Sequence, residues 1–143
     1  MHFIPLRVYT RVMASCYCIS LRKASRRLTS IYDEALAPVG INLAQYSMLK
    51  NVTRRAPISL TELGNLLDLD RSTVGRNARV MVRMGLLAMG PGEDQREQAL
   101  SPTKAGRELL ERAMPLWHGV QEKIEARLGP QNSAQLQSLL AIL

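Results

Sequence analysis

The sequence predicts a mostly helical chain carrying one small β-hairpin, an α+β protein in which the strands form a minor insert. Three observations carry that expectation. Apolar residues recur at helical spacing through most of the 143 residues. Cap signatures stand where helices should begin, at Asn42-Leu43-Ala44-Gln45 and Ser59-Leu60-Thr61-Glu62. The helical period fails only between Leu86 and Leu100, where short apolar runs flank Gly90-Pro91-Gly92-Glu93-Asp94, a turn-rich stretch.

The first helix is expected from about Arg11 to Ala37, stopped by Pro38-Val39-Gly40. Leu21, Ala24, Leu28, Ile31 and Ala35 share one face, and Val12, Cys16 and Ile19 form a second stripe in a different phase. A helix apolar on two faces has two partners to cover, a core on one side and a subunit on the other. The Asn42 box, stapled by Ile41 and Tyr46, opens a helix ending near Thr53, and Pro57 breaks the chain after it. The Ser59 box, stapled by Ile58 and Leu63, opens a short helix reaching about Leu67. Asp70 caps a third, which ends at Met84-Gly85. The four-residue link Asp68–Arg71 gives this pair the proportions of a helix-turn-helix. On its second helix, Val74, Ala78 and Met81 form the inward stripe, while Arg71, Ser72, Thr73, Arg76 and Asn77 lie largely away from it. Beyond the hairpin, Ser101-Pro102 reads as an N-cap followed by proline at the first helical position. The long helix that follows carries Leu109, Ala113, Leu116, Trp117, Val120, Ile124 and Leu128, kinked or interrupted at Pro115 and closed by Gly129-Pro130. A last helix places Leu136, Leu139, Leu140 and Leu143 on one strip, better covered by a partner subunit than left wet.

The formal net charge is +7, and it is unevenly spread. Residues 7–55 sum to +7, 56–70 to −3, 71–107 to +4 and 108–143 to −1. A basic excess gathered in two stretches points to a polyanionic partner rather than a metabolite-sized substrate. No apolar run approaches the roughly 18 residues of a membrane span. Met1–Ser15 offers no small-residue cleavage site after an uninterrupted apolar core, so no signal peptide is expected. Cys16 and Cys18 are the only cysteines, which fits a reducing cytoplasm rather than a disulfide scaffold. His2 and His118 stand far from them in sequence, so no metal site is expected. Glycine-rich phosphate loops are absent, and no cofactor is implied. The acids Glu62, Asp68 and Asp94 have no neighbouring base at catalytic spacing. The expectation is a cytoplasmic, non-enzymatic protein.

A helix-turn-helix followed by a hairpin is a winged helix. An α-helix fits the major groove of DNA, where arginine and asparagine read guanine and adenine edges. A hairpin tip can hold an arginine in the adjacent minor groove, where narrow A·T-rich segments concentrate negative potential. Arg71, Arg76, Arg79 and Arg83 recur at roughly helical spacing, and Asp94, Gln95 and Arg96 form the tip. A row of arginines alone also describes a solvated basic face. The ordered set of capped helix, Asp-capped arginine helix, hairpin and arginine tip is much harder to obtain by accident.

These residues resemble the MarR (multiple antibiotic resistance regulator) family. Leu69-Asp70-Arg71-Ser72-Thr73-Val74-x-Arg76-Asn77 with Gly85-Leu86 is similar to its recognition helix, and Asp94-x-Arg96 and Leu100-Ser101-x-x-x-Ala105-Gly106 to its wing and exit. Leu28-Thr29-x-Ile31-Tyr32-Asp33-x-Ala35-Leu36-Ala37-Pro38-x-Gly40 resembles its first helix, and Pro115-Leu116-Trp117 its long dimer helix. The resemblance spans about residues 12 to 143. It implies a homodimeric winged-helix regulator with interlocked N- and C-terminal helices and a small-molecule or redox trigger. Two departures matter. The neighbours of the wing arginine, Gln95 and Glu97, depart from those the family usually carries there, and the residue set of urate-responsive members cannot be matched.

The layout that follows is an N-terminal dimerisation region (1–37), a winged helix-turn-helix (38–106) and C-terminal dimerisation helices (107–143), in a single-domain chain. Arg71, Ser72, Thr73, Arg76, Asn77, Arg79, Asp94 and Arg96 are the candidate contacts to double-stranded DNA bearing a pseudo-palindromic operator. Arg22, Arg26 and Tyr46 are suited to an aromatic carboxylate, since arginine forks match carboxylates, or else the two arginines are solvated or face phosphate. Cys16 and Cys18 resemble in placement the reactive cysteines of the family's peroxide-sensing branch. They serve either as redox-active thiols or as small apolar fillers at a subunit interface. The expected function is a repressor released by an aromatic or phenolic acid. A thiol-based redox repressor and a non-specific architectural DNA-binding protein are the alternatives.

Overall fold

A computed structural model describes residues 16–94 and 96–143, so the expected start of the first helix, with Val12, and Gln95 of the hairpin tip lie outside the described residues. The first described helix, α1, is Tyr17–Leu36; a 3-10 turn over Ala37–Val39 follows. The turn closes at Gly40 with φ 79°, a left-handed conformation that glycine adopts without steric cost. Helix α2 (Leu43–Arg55) opens with the expected capping box. The Asn42 side chain accepts the Gln45 N–H at 2.9 Å, and the Gln45 side chain accepts the Asn42 N–H at 3.0 Å. Helix α3 (Leu60–Leu67) repeats the device with Ser59 and Glu62. Each cap satisfies backbone donors left over at the helix start, an effect of about 1 kcal/mol. Asp68, at φ 54°, ends α3, and the Leu69 N–H donates back to the Gly64 carbonyl at 2.9 Å. A Cβ on Gly64 would stand 3.0 Å from the Leu69 carbonyl oxygen, so the turn lies directly on the helix. Helix α4 (Arg71–Arg83) then starts on its Asp70 cap.

The hairpin consists of β2 (Leu87–Pro91) and β3 (Gln98–Pro102), antiparallel, with Leu87 opposite Pro102 and Pro91 opposite Gln98. A two-residue strand, β1 (Ile58–Ser59), pairs with the other edge of β3, giving the order β1-β3-β2. The long helix α5 (Lys104–Leu128) corrects two expectations, the position of its cap and an interruption at Pro115. Its cap is Thr103, not Ser101, because Ser101 and Pro102 are still paired across the hairpin with Ala88 and Leu87. The Thr103 hydroxyl accepts the Gly106 N–H at 3.0 Å and donates to the Gly85 carbonyl at 2.6 Å, tying α5 to the turn after α4. The helix also runs without interruption through Pro115. Pro115 and Glu111 are both exposed, so the carbonyl deprived of its helical donor lies on the wet side. Helix α6 (Pro130–Ala141) follows Gly129, with proline in its first turn.

One core joins these elements. It contains Leu36 of α1, Tyr46, Leu49 and Val52 of α2, Leu63 of α3, Val74, Ala78 and Met81 of α4, Leu100 of β3, and Leu110 and Ala113 of α5. The described part of α1 contributes little else, since Leu21, Leu28 and Ile31 remain exposed. On α6, Leu136, Leu139 and Leu140 are exposed as well, and so are Ile142 and Leu143 beyond it. No described helix is long and apolar enough to cross a membrane. No group of three or more metal-ligating side chains occurs among the described residues.

Candidate nucleic-acid interface

Helix α4 is fixed by three completely buried side chains, Val74, Ala78 and Met81. Its period of 3.6 residues then sends Arg71, Ser72, Arg76, Arg79 and Arg83 to the exposed side. Thr73 and Asn77 are half-buried. Asn77 lines a small cavity of about 130 Å³ with Asn42, Ala44 and Gln45 of the α2 start. The Arg79 guanidinium lies back along the helix, 3.6 Å from where a Cβ on Gly75 would stand, so its charge is drawn toward the α4 N-terminus.

Asp70 organises that terminus. Its Oδ1 accepts the Thr73 N–H at 2.8 Å and the Ser72 hydroxyl at 2.7 Å, and its Oδ2 accepts the Thr73 hydroxyl at 2.9 Å. Arg76 Nη2 donates to the Thr73 hydroxyl oxygen at 3.4 Å. Hydrogen bonds from Ser72 and Thr73, with the charge of Arg76 nearby, pull the Asp70 carboxyl down to about 2 from 3.8. It is therefore ionised at any physiological pH.

At the hairpin tip, the Gly92 N–H donates to the Glu97 carbonyl at 2.8 Å and the Glu97 N–H to the Asp94 carbonyl at 2.9 Å. The Asp94 carboxylate accepts the Arg96 backbone N–H at 3.3 Å. This carboxylate thus shapes the turn rather than clamping the guanidinium. Among the described residues the one ion pair is Lys104–Glu108 on α5. Arg96 and the α4 arginines have no ion-pair partner among the described residues. An open cleft of about 590 Å³ between the α2–α3 connection and the tip is lined by Arg55, Glu62, Glu93, Asp94 and Glu97, a charge balance opposed to phosphate.

The residues singled out for a ligand are not drawn together. Arg22 and Arg26 lie on the exposed surface of α1, whereas Tyr46 is buried in the core. Tyr46 stacks on Trp117 of α5, with ring centroids 5.7 Å apart, and Tyr32 of α1 stacks on the same indole at 6.4 Å. Lys50 Nζ lies 4.5 Å from the indole centroid. The Tyr32 hydroxyl bonds the Gln121 side chain, but the Tyr46 hydroxyl is buried with no partner among the described residues. Desolvation raises the pKa of both phenols, with Glu125 adding to the effect on Tyr32. Lys50 had no sequence signal of its own, since its partner indole stands 67 positions away. Cys16 and Cys18, at the start of α1, are exposed and not joined in a disulfide.

Fold and site together define a winged-helix DNA-binding protein. The family model for the MarR family matches residues 39–97, which run from the end of the 3-10 turn before α2 to the wing tip. The M. tuberculosis transcriptional regulator MosR, solved in complex with DNA, is 35% identical over 87% of this chain and 93% of its own, with a TM-score of 0.78. The transcriptional repressor CouR, bound to a 23-mer DNA duplex, is 25% identical over 91% and 93%, with a TM-score of 0.83. Bordetella bronchiseptica BpsR shares the fold at 22% identity over 90% and 92%, with a TM-score of 0.82. No curated protein sequence matches. The chain belongs to the MarR family of DNA-binding transcriptional regulators.

Proposed function

We propose that the protein is a homodimeric repressor that binds a pseudo-palindromic operator through α4 and the wing. The observation that carries this reading is the Asp70-capped α4, whose buried stripe leaves Arg71, Arg76 and Arg79 exposed beside a wing bearing an unpaired Arg96. Arg76 and Asn77 read bases, Ser72 and Thr73 support them, and Arg96 enters the minor groove. Asp94 sets the tip that presents it. Residues 38–106 serve as the DNA-binding part and the flanking segments 1–37 and 107–143 as dimerisation helices. Binding at low nanomolar protein that survives competitor DNA separates this reading from an architectural coat protein. Arg76→Ala is expected to cost roughly 1–3 kcal/mol and to relax preference at one position of each half-site. Unchanged affinity and specificity in that variant would overturn the assignment of α4.

The trigger in this reading is a small aromatic acid seated where α1, α2 and α5 meet. A buried hydroxyl without a partner on Tyr46 and the Lys50 ammonium over Trp117 supply an orphaned polar atom and a cation at one junction. Arg22 and Arg26 add positive charge on α1. In BpsR, a protein of this fold, 6-hydroxynicotinic acid regulates DNA binding, so the architecture is compatible with such a switch. A ligand releases DNA only by preferring the DNA-incompetent arrangement, and tenfold release needs about 1.4 kcal/mol of preference. The exposure of Cys16 and Cys18 favours a second reading, release by oxidation. A gel shift with the double variant Cys16→Ser, Cys18→Ser separates them. Peroxide release of that variant excludes cysteine sensing; peroxide release of the wild type alone, with no response to aromatic acids, excludes the ligand.

A further inference from the structure

The hydroxyls of Ser72 and Thr73 are already committed. Each lies within 2.9 Å of an Asp70 carboxylate oxygen, and that carboxylate is ionised at neutral pH. An ionised carboxylate only accepts hydrogen bonds, so both protons sit on the hydroxyls and point at Asp70. The Thr73 oxygen uses a lone pair on Arg76 Nη2, while the exposed Ser72 oxygen keeps two lone pairs for an incoming group. A DNA phosphate oxygen is also an acceptor only. It meets lone pairs on Ser72 and a carboxylate charge directly behind them, and it gains a proton from Ser72 only if a charge-assisted bond breaks. The donors that Ser72 can accept from are the exocyclic amino groups of cytosine and adenine, which face the major groove.

We propose that Asp70 is a specificity-determining positioning residue: it holds the Ser72 and Thr73 hydroxyls as acceptors and so directs Ser72 to a base amino group instead of to phosphate. The inference rests on the reading of α4 as the groove-binding helix. Serine at the start of a recognition helix otherwise serves equally well as a phosphate donor. Here the neighbouring carboxylate removes that option.

The test uses the full-length protein, a preferred duplex selected from a randomised DNA pool, its single-base-pair variants, and an unrelated duplex. Ser72→Ala is expected to lose about tenfold preference at one base pair per half-site, equal to 1.4 kcal/mol, with the salt dependence of binding unchanged. Asp70→Asn keeps a good cap through its amide oxygen and offers the Thr73 hydroxyl an amide donor. The variant leaves the Ser72 hydroxyl only an uncharged, weaker acceptor, so that the Ser72 proton is released to phosphate at lower cost. It is expected to tighten binding to unrelated DNA, to steepen the salt dependence, and to lose the same base preference. Adding Ser72→Ala to Asp70→Asn should then change that preference no further. Removing a negative charge alone would strengthen binding to all duplexes alike and leave their ratios intact, so ratios unchanged in Asp70→Asn overturn the proposal. A shallower salt dependence with equal losses on every duplex in Ser72→Ala also overturns it, whether or not Asp70→Asn folds. Should the wild type select no preferred duplex at all, it is the operator-binding reading that fails.

Discussion

Asp70 caps α4 and, in the proposed function, brings the charge of the same carboxylate toward DNA. Its folded pKa of about 2 lies below the ordinary 3.8. A depressed carboxyl contributes stability that is complete above the ordinary value and is lost as pH falls through the folded one. Thermal melts from pH 6 down to pH 2 should therefore fall more steeply for the wild type than for Asp70→Asn, whose cap does not titrate. Parallel curves would show that the hydrogen bonds of Asp70 do not stabilise α4. Tyr46 presents the opposite case. Its buried hydroxyl has no partner, and an unmet buried polar group costs about 1–3 kcal/mol. Tyr46→Phe should therefore match or exceed the wild type in urea denaturation while losing the response to an aromatic acid. A clear loss of stability would place a hidden partner on that hydroxyl.

Among the elements, α5 and the turn after α4 meet most closely at Gly106. A Cβ there would run into the backbone of Leu86, an obstacle that no rotamer change removes. Gly106→Ala is expected to destabilise by about 1–3 kcal/mol in urea unfolding, with lowered operator affinity because Leu86 connects α4 to the wing. Unaltered stability would mean that the α5 start is loosely held. Most of these elements were legible from local chemistry. Capping boxes at Asn42 and Ser59 and the Asp70 cap act within four residues, so sequence spacing alone places α2, α3 and α4. The misplaced α5 cap has a long-range cause. Ser101-Pro102 satisfies every local rule for a helix start, yet hairpin pairing with Ala88 and Leu87 claims both residues. Strand β1 is too short to show an alternating pattern and exists only through its pairing with β3. The stack of Tyr32, Tyr46 and Trp117 joins three helices and likewise has no local signature. Arginines of α4 were visible because one helix carries them all.

At the scale of the whole molecule, the exposed apolar side chains of α1 and α6 are the surface on which the proposed homodimer rests. Leu139 and Ile142 are 59% and 79% exposed, and Leu136, Leu140 and Leu143 share their end of the chain. Contiguous apolar surface of this kind marks an interface when it recurs on one strip. In the proposed homodimer a second copy would supply the same strip in a twofold arrangement, setting two α4 helices into successive major grooves about 34 Å apart. Coupling the two lobes makes the second binding event intramolecular, so the dimer gains roughly 10²- to 10⁴-fold over one lobe without any new contact. The double substitution Leu139→Asp, Leu140→Asp puts two like charges on the strip but touches no core residue, since both side chains are exposed. Sedimentation at micromolar protein should show the wild type near twice 16.0 kDa and the variant near 16.0 kDa. Operator affinity should fall at least a hundredfold with the variant, while affinity for a single half-site stays the same. A variant that sediments as a dimer places the interface elsewhere. A monomer that retains full operator affinity rules out two-lobe recognition altogether.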